Sequence, residues 1–194
     1  ESYHAMGYTV YLTVSPWKRA VKELEKGKIE VLFPTTKTPI REKKYFYSKG
    51  DTNFSSMNIY TNKYNPFEFK GLESLKGLVV GSIRGFAYGT AWENASYIKT
   101  HENDSDQQNF EMLSKKKINA LVAYAVTADY WLKKSNLLDK YKKHASFSFN
   151  REYLTSLKSN AAAIKKVLDF DLGKHKIIES GVYKRIKEKW GITD

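Results

Sequence analysis

The sequence predicts an α/β protein built from two similar lobes, and three observations carry that prediction. Segments of strand character alternate with segments of helical spacing along most of the chain. One helix–turn–strand passage is written twice: Leu24, Lys28, Ile29 and Leu32 return at a constant offset as Leu113, Lys117, Ile118 and Leu121, with Asn119 in the place of Glu30. The 194 residues, 41% hydrophobic and 14% aromatic, supply a packed core for one domain or two small lobes, unlike a disordered basic tail.

Taken in order, residues 8–14 are β-branched and aromatic and read as a strand. Ser15 and Pro16 then open a helix on which Trp17, Ala20, Val21 and Leu24 recur at helical spacing, and Gly27 stops it. Residues 29–33 read as a buried strand, and 34–39, with a proline at each end and hydroxyls between, as the loop after it. Residues 55–61 read as a strand leaving the first lobe. A short helix over 72–77, a strand over 78–83, helices around 88–95 and 107–113, a strand over 118–123 and a helix over 127–132 follow. Residues 146–149 alternate and read as a second strand passing between lobes. The carboxyl end reads as helices over 161–170 and 182–190, with a turn at 177–179 and Gly181 before the last.

The 33 Lys+Arg exceed the 21 Asp+Glu, for a net charge of +12, but the basic stretches are dispersed and mixed with acids. No helix-turn-helix, zinc-finger or aromatic ribonucleoprotein signature lies among them, so they read as solvated faces and no nucleic-acid partner is expected. No apolar run approaches the ~20 residues that cross a bilayer. Cysteine is absent, which excludes thiol nucleophiles, Cys-zinc sites and disulfides, and is compatible with export. The four histidines show no HExxH spacing, and no G-x-S-x-G, P-loop or Rossmann fingerprint is present, so neither a metal, a cofactor nor a catalytic residue is assigned.

Three places remain where the residues offer binding chemistry. The glycine-rich stretch from Gly81 to Gly89 follows a strand and precedes a helix, where backbone N–H groups face an anion and Arg84 adds charge; an ordinary turn with a surface arginine fits equally. Arg41, beside Thr36 and Thr38 past the end of a strand, is either a bidentate carboxylate grip or a solvated arginine in a charged run. Trp17, on the first turn of its helix, lines either a crevice or the core.

Pro16-Trp17-Lys18-Arg19-Ala20, the run Leu24 to Phe33 with Thr36-Lys37-Thr38-Pro39-Ile40-Arg41-Glu42-Lys43 after it, Leu75-Lys76-Gly77 through Gly85, and Ser180-Gly181-Val182-Tyr183-Lys184-Arg185-Ile186 with Lys189-Trp190-Gly191 occur in this order. Together they resemble the periplasmic solute-binding proteins of ABC transporters, polar amino-acid type, family 3. The resemblance implies an α/β, two-lobed type II periplasmic-binding-protein fold with a two-strand hinge, lobe one comprising residues 1–60 and 153–194 and lobe two 61–152. It implies that Trp17 is an aromatic wall, Thr36 a hydroxyl or backbone contact with Thr38 beside it, and Arg41 the carboxylate-binding arginine. Gly85 and Phe86, Arg84 and Tyr124 complete the expected ligand-binding set.

Two positions depart from the family pattern. The second-lobe turn reads Gly85-Phe86-Ala87 where a threonine is usual, and Tyr124 stands where an aspartate usually meets the ligand's α-ammonium. An ammonium without a partner costs several kcal/mol, so the expected ligand is a small anionic, carboxylate-bearing solute other than an ordinary α-amino acid, with deaminated or aromatic acids preferred over basic amino acids. The expected partner is an ABC permease in the inner membrane, and the expected location the periplasm. The resemblance also leaves open a cyclohexadienyl dehydratase-like enzyme or the sensing domain of a membrane receptor. Residues 1–7 resemble the last turn of a helix and its glycine stop. The first lobe is therefore expected to lack an N-terminal strand and helix and to leave an apolar groove and a strand edge open; the full-length protein is expected to be a monomer, and the leader to be absent from this chain.

Overall fold

The computed structural model describes residues 1–190; Gly191 of the C-terminal motif lies outside them. Its elements are α1 (Trp17–Glu25), β1 (Leu32–Thr36), α2 (Pro39–Lys44), β2 (Tyr45–Asn62), β3 (Val79–Ile83), α3 (Thr90–Glu93), β4 (Lys99–Asn103), α4 (Asp106–Ser114), β5 (Ala120–Tyr124), α5 (Ala125–Lys134), β6 (Tyr141–Leu157), α6 (Ala161–Glu179) and α7 (Val182–Trp190). Hydrogen bonding orders the strands β1-β6-β2-β5-β3-β4. The chain divides into two compact units: unit 1 holds Glu1–Ser15, Arg19–Asn53 and the chain from Glu152 on, and unit 2 holds Pro16–Lys18 and Phe54–Arg151. The long strands β2 and β6 each contribute to both.

Unit 2 is a sheet covered on both faces. Successive side chains of a strand point to opposite sides, and β5 shows the result: Ala120, Val122 and Tyr124 join Met57, Val80, Tyr88 and Trp92 in one apolar layer. Leu121 and Ala123 join Tyr60, Phe110, Leu113 and Leu132 in the other. β5 pairs antiparallel with β2 and parallel with β3, which pairs parallel with β4. A strand buried on both faces reads as a continuous apolar run, and β5 does. β4, at the end of the strand order, is Lys-Thr-His-Glu-Asn and largely exposed; sequence reading passes over it because charged side chains that protect an edge are also those that disfavour strand assignment.

In unit 1, the first half of β2 and the end of β6 continue the sheet, with β6 between β2 and β1, and Asp171 of α6 accepts from the Lys49 and Gly50 N–H groups of β2. Asn160 caps α6 by accepting from the Ala163 N–H at 3.0 Å. The helix runs unbroken through 177–179, where the sequence predicts a turn; Ser180 ends it and Gly181, at φ +73°, turns the chain into α7. The segment before α1 docks on α6: Tyr3 donates to the Lys166 carbonyl at 3.0 Å, and the Tyr8 hydroxyl donates to Asp169, which Lys165 also holds at 2.5 Å.

Two expected features of unit 1 differ. Residues 8–14 form no strand, and Tyr11, Leu12 and Val14 are 88%, 72% and 97% exposed. Strand propensity measures fit to a half-buried pleated surface, and these residues have no such surface to fit among the described residues. β1 begins at Leu32 and carries Pro34, predicted as loop; the strand is terminal in the order and its register to β6 shifts between Leu32 and Thr35. An edge and an irregular register are where a residue without an N–H is tolerated.

The repeated passage is repeated in its hydrogen bonds. After α1, Lys26, Gly27 and Lys28 donate to the carbonyls of Lys22, Leu24 and Glu23; after α4, Lys115, Lys116 and Lys117 donate to those of Glu111, Leu113 and Met112. Leu24 and Leu113 are both buried. The left-handed residue is Gly27 (φ +68°) in one copy and Lys116 (φ +54°) in the other. A side chain in that conformation costs about 1 kcal/mol. Lys116→Gly is therefore expected to stabilise the protein by about 0.5–1 kcal/mol and Gly27→Ala to destabilise it by about 1 kcal/mol in urea titrations; a destabilised Lys116→Gly variant contradicts the shared motif.

Candidate functional site

In unit 1, Thr36, Thr38 and Arg41 converge at the carboxyl end of β1. Arg41 lies on α2. Thr38 is the N-cap, accepting from the Arg41 N–H at 3.3 Å, and Pro39 opens the helix. This Thr-Pro pairing of cap and first position is the signal that would have revealed α2. The cap fixes the base of Arg41, whose guanidinium donates to the Thr36 carbonyl at 3.1 Å; Tyr47 donates to the same oxygen at 3.4 Å. Lys37 projects over the Tyr153 ring, 4.2 Å from its centroid, and Tyr47 meets that ring edge-on.

Opposite Thr36 in the β1–β6 ladder stands Glu152, a residue the sequence reading leaves unassigned. It is 7% exposed. Asn53 donates to its Oε2 at 2.7 Å, and Thr52 to its main-chain carbonyl at 3.0 Å. Burial pushes its carboxyl upward, while the Asn53 hydrogen bond and the nearby Arg41 charge pull it back.

In unit 2, Trp17, Gly85, Phe86 and Tyr124 converge after β3. The Trp17 indole N–H donates to the Gly85 carbonyl at 3.0 Å, and its ring meets Phe86 edge-on at 6.0 Å. Gly85 stands at φ +77°, a left-handed conformation that favours glycine, while a β-carbon there would meet Trp17 only at ordinary contact, 3.4 Å. Phe86 in turn packs against Tyr88 and Tyr124. Tyr124 is 5% exposed, part of the apolar layer, and its hydroxyl donates to the Ala87 carbonyl at 2.6 Å. Asn150 donates to the same carbonyl and to the Tyr124 hydroxyl, each at 3.2 Å. Tyr124 is thus part of the turn's own scaffold.

Arg84, expected as a second cationic contact, stays partly exposed and is held by acids of its own unit. Its guanidinium is paired with Glu102 at 3.5 Å and Asp104 at 3.3 Å, two carboxylates at the end of β4. The pairing has its origin in the strand that the sequence hides.

A further acid beyond the sequence expectation is Asp106. Ser105 caps α4, and Asp106 follows it. Its Oδ2 accepts from Thr127 at 3.3 Å, whereas Oδ1 is sealed from solvent with no partner, although the residue as a whole is only half-buried. Burial pushes this carboxyl up to about 6. Among the described residues, no group of three or more His, Cys, Asp or Glu is placed to hold a metal ion, and no helix is long and apolar enough to cross a membrane.

A search of curated proteins finds no match to the chain. Solved structures do resemble it: a histidine kinase sensor domain described as similar to periplasmic binding proteins (TM-score 0.85, 19% identity, 97% of this chain and 81% of that one). The P235GK mutant of ArgBP from T. maritima matches with TM-score 0.84 and 19% identity over 99% of this chain and 82% of that one. The substrate-binding protein of an amino acid ABC transporter matches with TM-score 0.81 and 17% identity over 97% and 84%. At these identities the likeness shows the fold, the type II periplasmic-binding-protein architecture expected from the sequence. The family model of the bacterial extracellular solute-binding proteins, family 3, matches residues 2–193, and with that match over nearly its whole length the chain belongs to this family.

Proposed function

We propose that the protein is a non-enzymatic, periplasmic solute-binding component that captures a small carboxylate-bearing solute and delivers it to an ABC permease of the inner membrane. The observation that carries this reading is Arg41: a capped helix fixes its backbone and the Thr36 carbonyl orients its guanidinium, which is the preorganisation a bidentate carboxylate grip requires. The family assignment and the transporter neighbour support the delivery role. The solute is amino-acid-like yet distinct from an ordinary α-amino acid, because Tyr124, with its hydroxyl turned to Ala87, stands at the end of β5. A thermal-shift screen of carboxylic acids and amino acids identifies binders through the stabilisation that binding confers.

Arg41→Ala is expected to weaken binding of the best hit at least ~tenfold, as loss of charge-assisted hydrogen bonds implies, with unfolding unchanged in the absence of solute. Unaltered affinity in calorimetry removes Arg41 as the anchor. Turnover of prephenate or arogenate would instead establish the enzyme reading. The sensor neighbour supports a second reading, a ligand-sensing domain; a gene neighbourhood holding a kinase and no permease favours it.

A further inference from the structure

Glu152 is a buried carboxylate whose surroundings do not explain its charge. Asn53 satisfies Oε2, but the described residues make no hydrogen bond to Oε1, and no cation among them comes within the 4.0 Å of an ion pair. Cations are nearby nonetheless. Lys37 is one residue beyond Thr36, the ladder partner of Glu152, yet its ammonium is drawn over Tyr153. Tyr153 follows Glu152 on β6, so the two side chains point to opposite faces of the strand. Arg41 is hooked to the Thr36 carbonyl, close enough for its charge to act on the Glu152 carboxyl without forming an ion pair with it. A buried carboxylate held for structure alone is ordinarily closed by a cation or a full set of donors. Here a positive and a negative group flank one residue, Thr36, and are kept apart.

We infer that Glu152 is the seat of a cationic group of the solute, so that unit 1 binds both ends of a zwitterion, carboxylate on Arg41 and ammonium on Glu152. This rests on the carboxylate reading of Arg41 and deepens it. It also replaces the expectation that deaminated acids bind best: the ammonium has a partner, on β6 instead of at the end of β5. Its place differs from that of an α-ammonium, and the amine-to-carboxylate spacing of the solute differs accordingly.

The test is calorimetry with matched pairs, the ω-amino carboxylates from glycine through β-alanine and γ-aminobutyrate to ε-aminohexanoate against the corresponding carboxylates without the amine. At one chain length the wild type is expected to prefer the amino member at least ~tenfold. Glu152→Gln, which keeps shape and the Asn53 contact site, is expected to bring that preference to near unity while the plain carboxylate binds as before. Glu152→Asp, with its carboxylate drawn back by one methylene, is expected to move the preference to the next longer amino acid, and it serves also if the glutamine variant does not fold. A preference that survives in Glu152→Gln, or one that does not move in Glu152→Asp, overturns the assignment. So does a wild type that binds plain carboxylates and favours no amino member, which leaves the Arg41 reading standing. If the wild type binds neither series and Arg41→Ala changes nothing in the broader screen, the carboxylate reading falls and this assignment with it.

Discussion

Asp106→Asn is expected to stabilise the protein at neutral pH by about 2 kcal/mol. The carboxyl of Asp106 is pushed from an ordinary value near 3.8 to about 6 by burial, with Oδ1 sealed and unpartnered. One unit of displacement corresponds to ~1.4 kcal/mol, so ionising this group in the folded protein costs about 3 kcal/mol, of which the asparagine carbonyl, equally unpartnered, retains a part. The sign follows from proton binding: between the unfolded and folded values the folded state holds the extra proton, so the stability contribution is complete below pH ~4 and is lost as pH rises through ~6. Urea titrations across that window are expected to show wild-type stability falling relative to Asp106→Asn, and the difference levelling off above it. Parallel curves for the two proteins, or a variant less stable at neutral pH, would refute the assignment of the slope to this carboxyl.

Gly173→Ala is expected to destabilise unit 1 by about 1–3 kcal/mol, the usual penalty of overpacking, against the grain of helix propensity, which favours alanine by ~1 kcal/mol in a helix interior. Gly173 lies within α6, and a β-carbon there would overlap the Ser2 carbonyl and come within 3.0 Å of Met6 Cγ. The amino-terminal segment must then lift from α6, taking with it the Tyr3 hydrogen bond to Lys166 and the packing of Tyr3 on Phe170. Hydrogen exchange over residues 1–8 is expected to quicken and the melting temperature to fall. A variant that melts higher than wild type, with the segment still protected, would show that the close approach is not required.

Legibility in the sequence followed what each element has to bury. β5, covered on both faces, is an apolar run and reads as a strand; the Leu24 and Leu113 turns read as a repeat because each must bury one leucine and reverse a chain by the same bonds. β4 and the half of β2 in unit 1 carry polar residues and a glycine, and what holds them is main-chain pairing and contacts such as the Asp171 carboxylate accepting from the N–H groups of Lys49 and Gly50 at 2.8 and 3.0 Å. Such contacts leave no periodicity. The candidate site divides likewise. Thr36, Thr38 and Arg41 were legible by resemblance and are brought together, as are Trp17, Gly85, Phe86 and Tyr124 within unit 2. Glu152 was not, because its environment is made by Asn53 and Thr36, far away in the chain, and a lone acid beyond the alternating residues 146–149 carries no mark of burial.

The division of the chain sets an order for folding. Apart from Pro16–Lys18, unit 2 is one continuous stretch, Phe54–Arg151, whereas unit 1 is assembled from segments on either side of it. Pairing β1 with β6, Leu32 with Thr155, must close a loop of more than a hundred residues, whose entropy is unrewarded until the ends meet. Local contacts come first: α4 with β5 and β3 with β4 join neighbours in sequence, so unit 2 is expected to acquire protection early in refolding and, once folded, to shorten the effective loop that unit 1 must close. Slow steps then belong to unit 1, and substitutions there are expected to act on unfolding rates, while those under β5 act on the rate of folding.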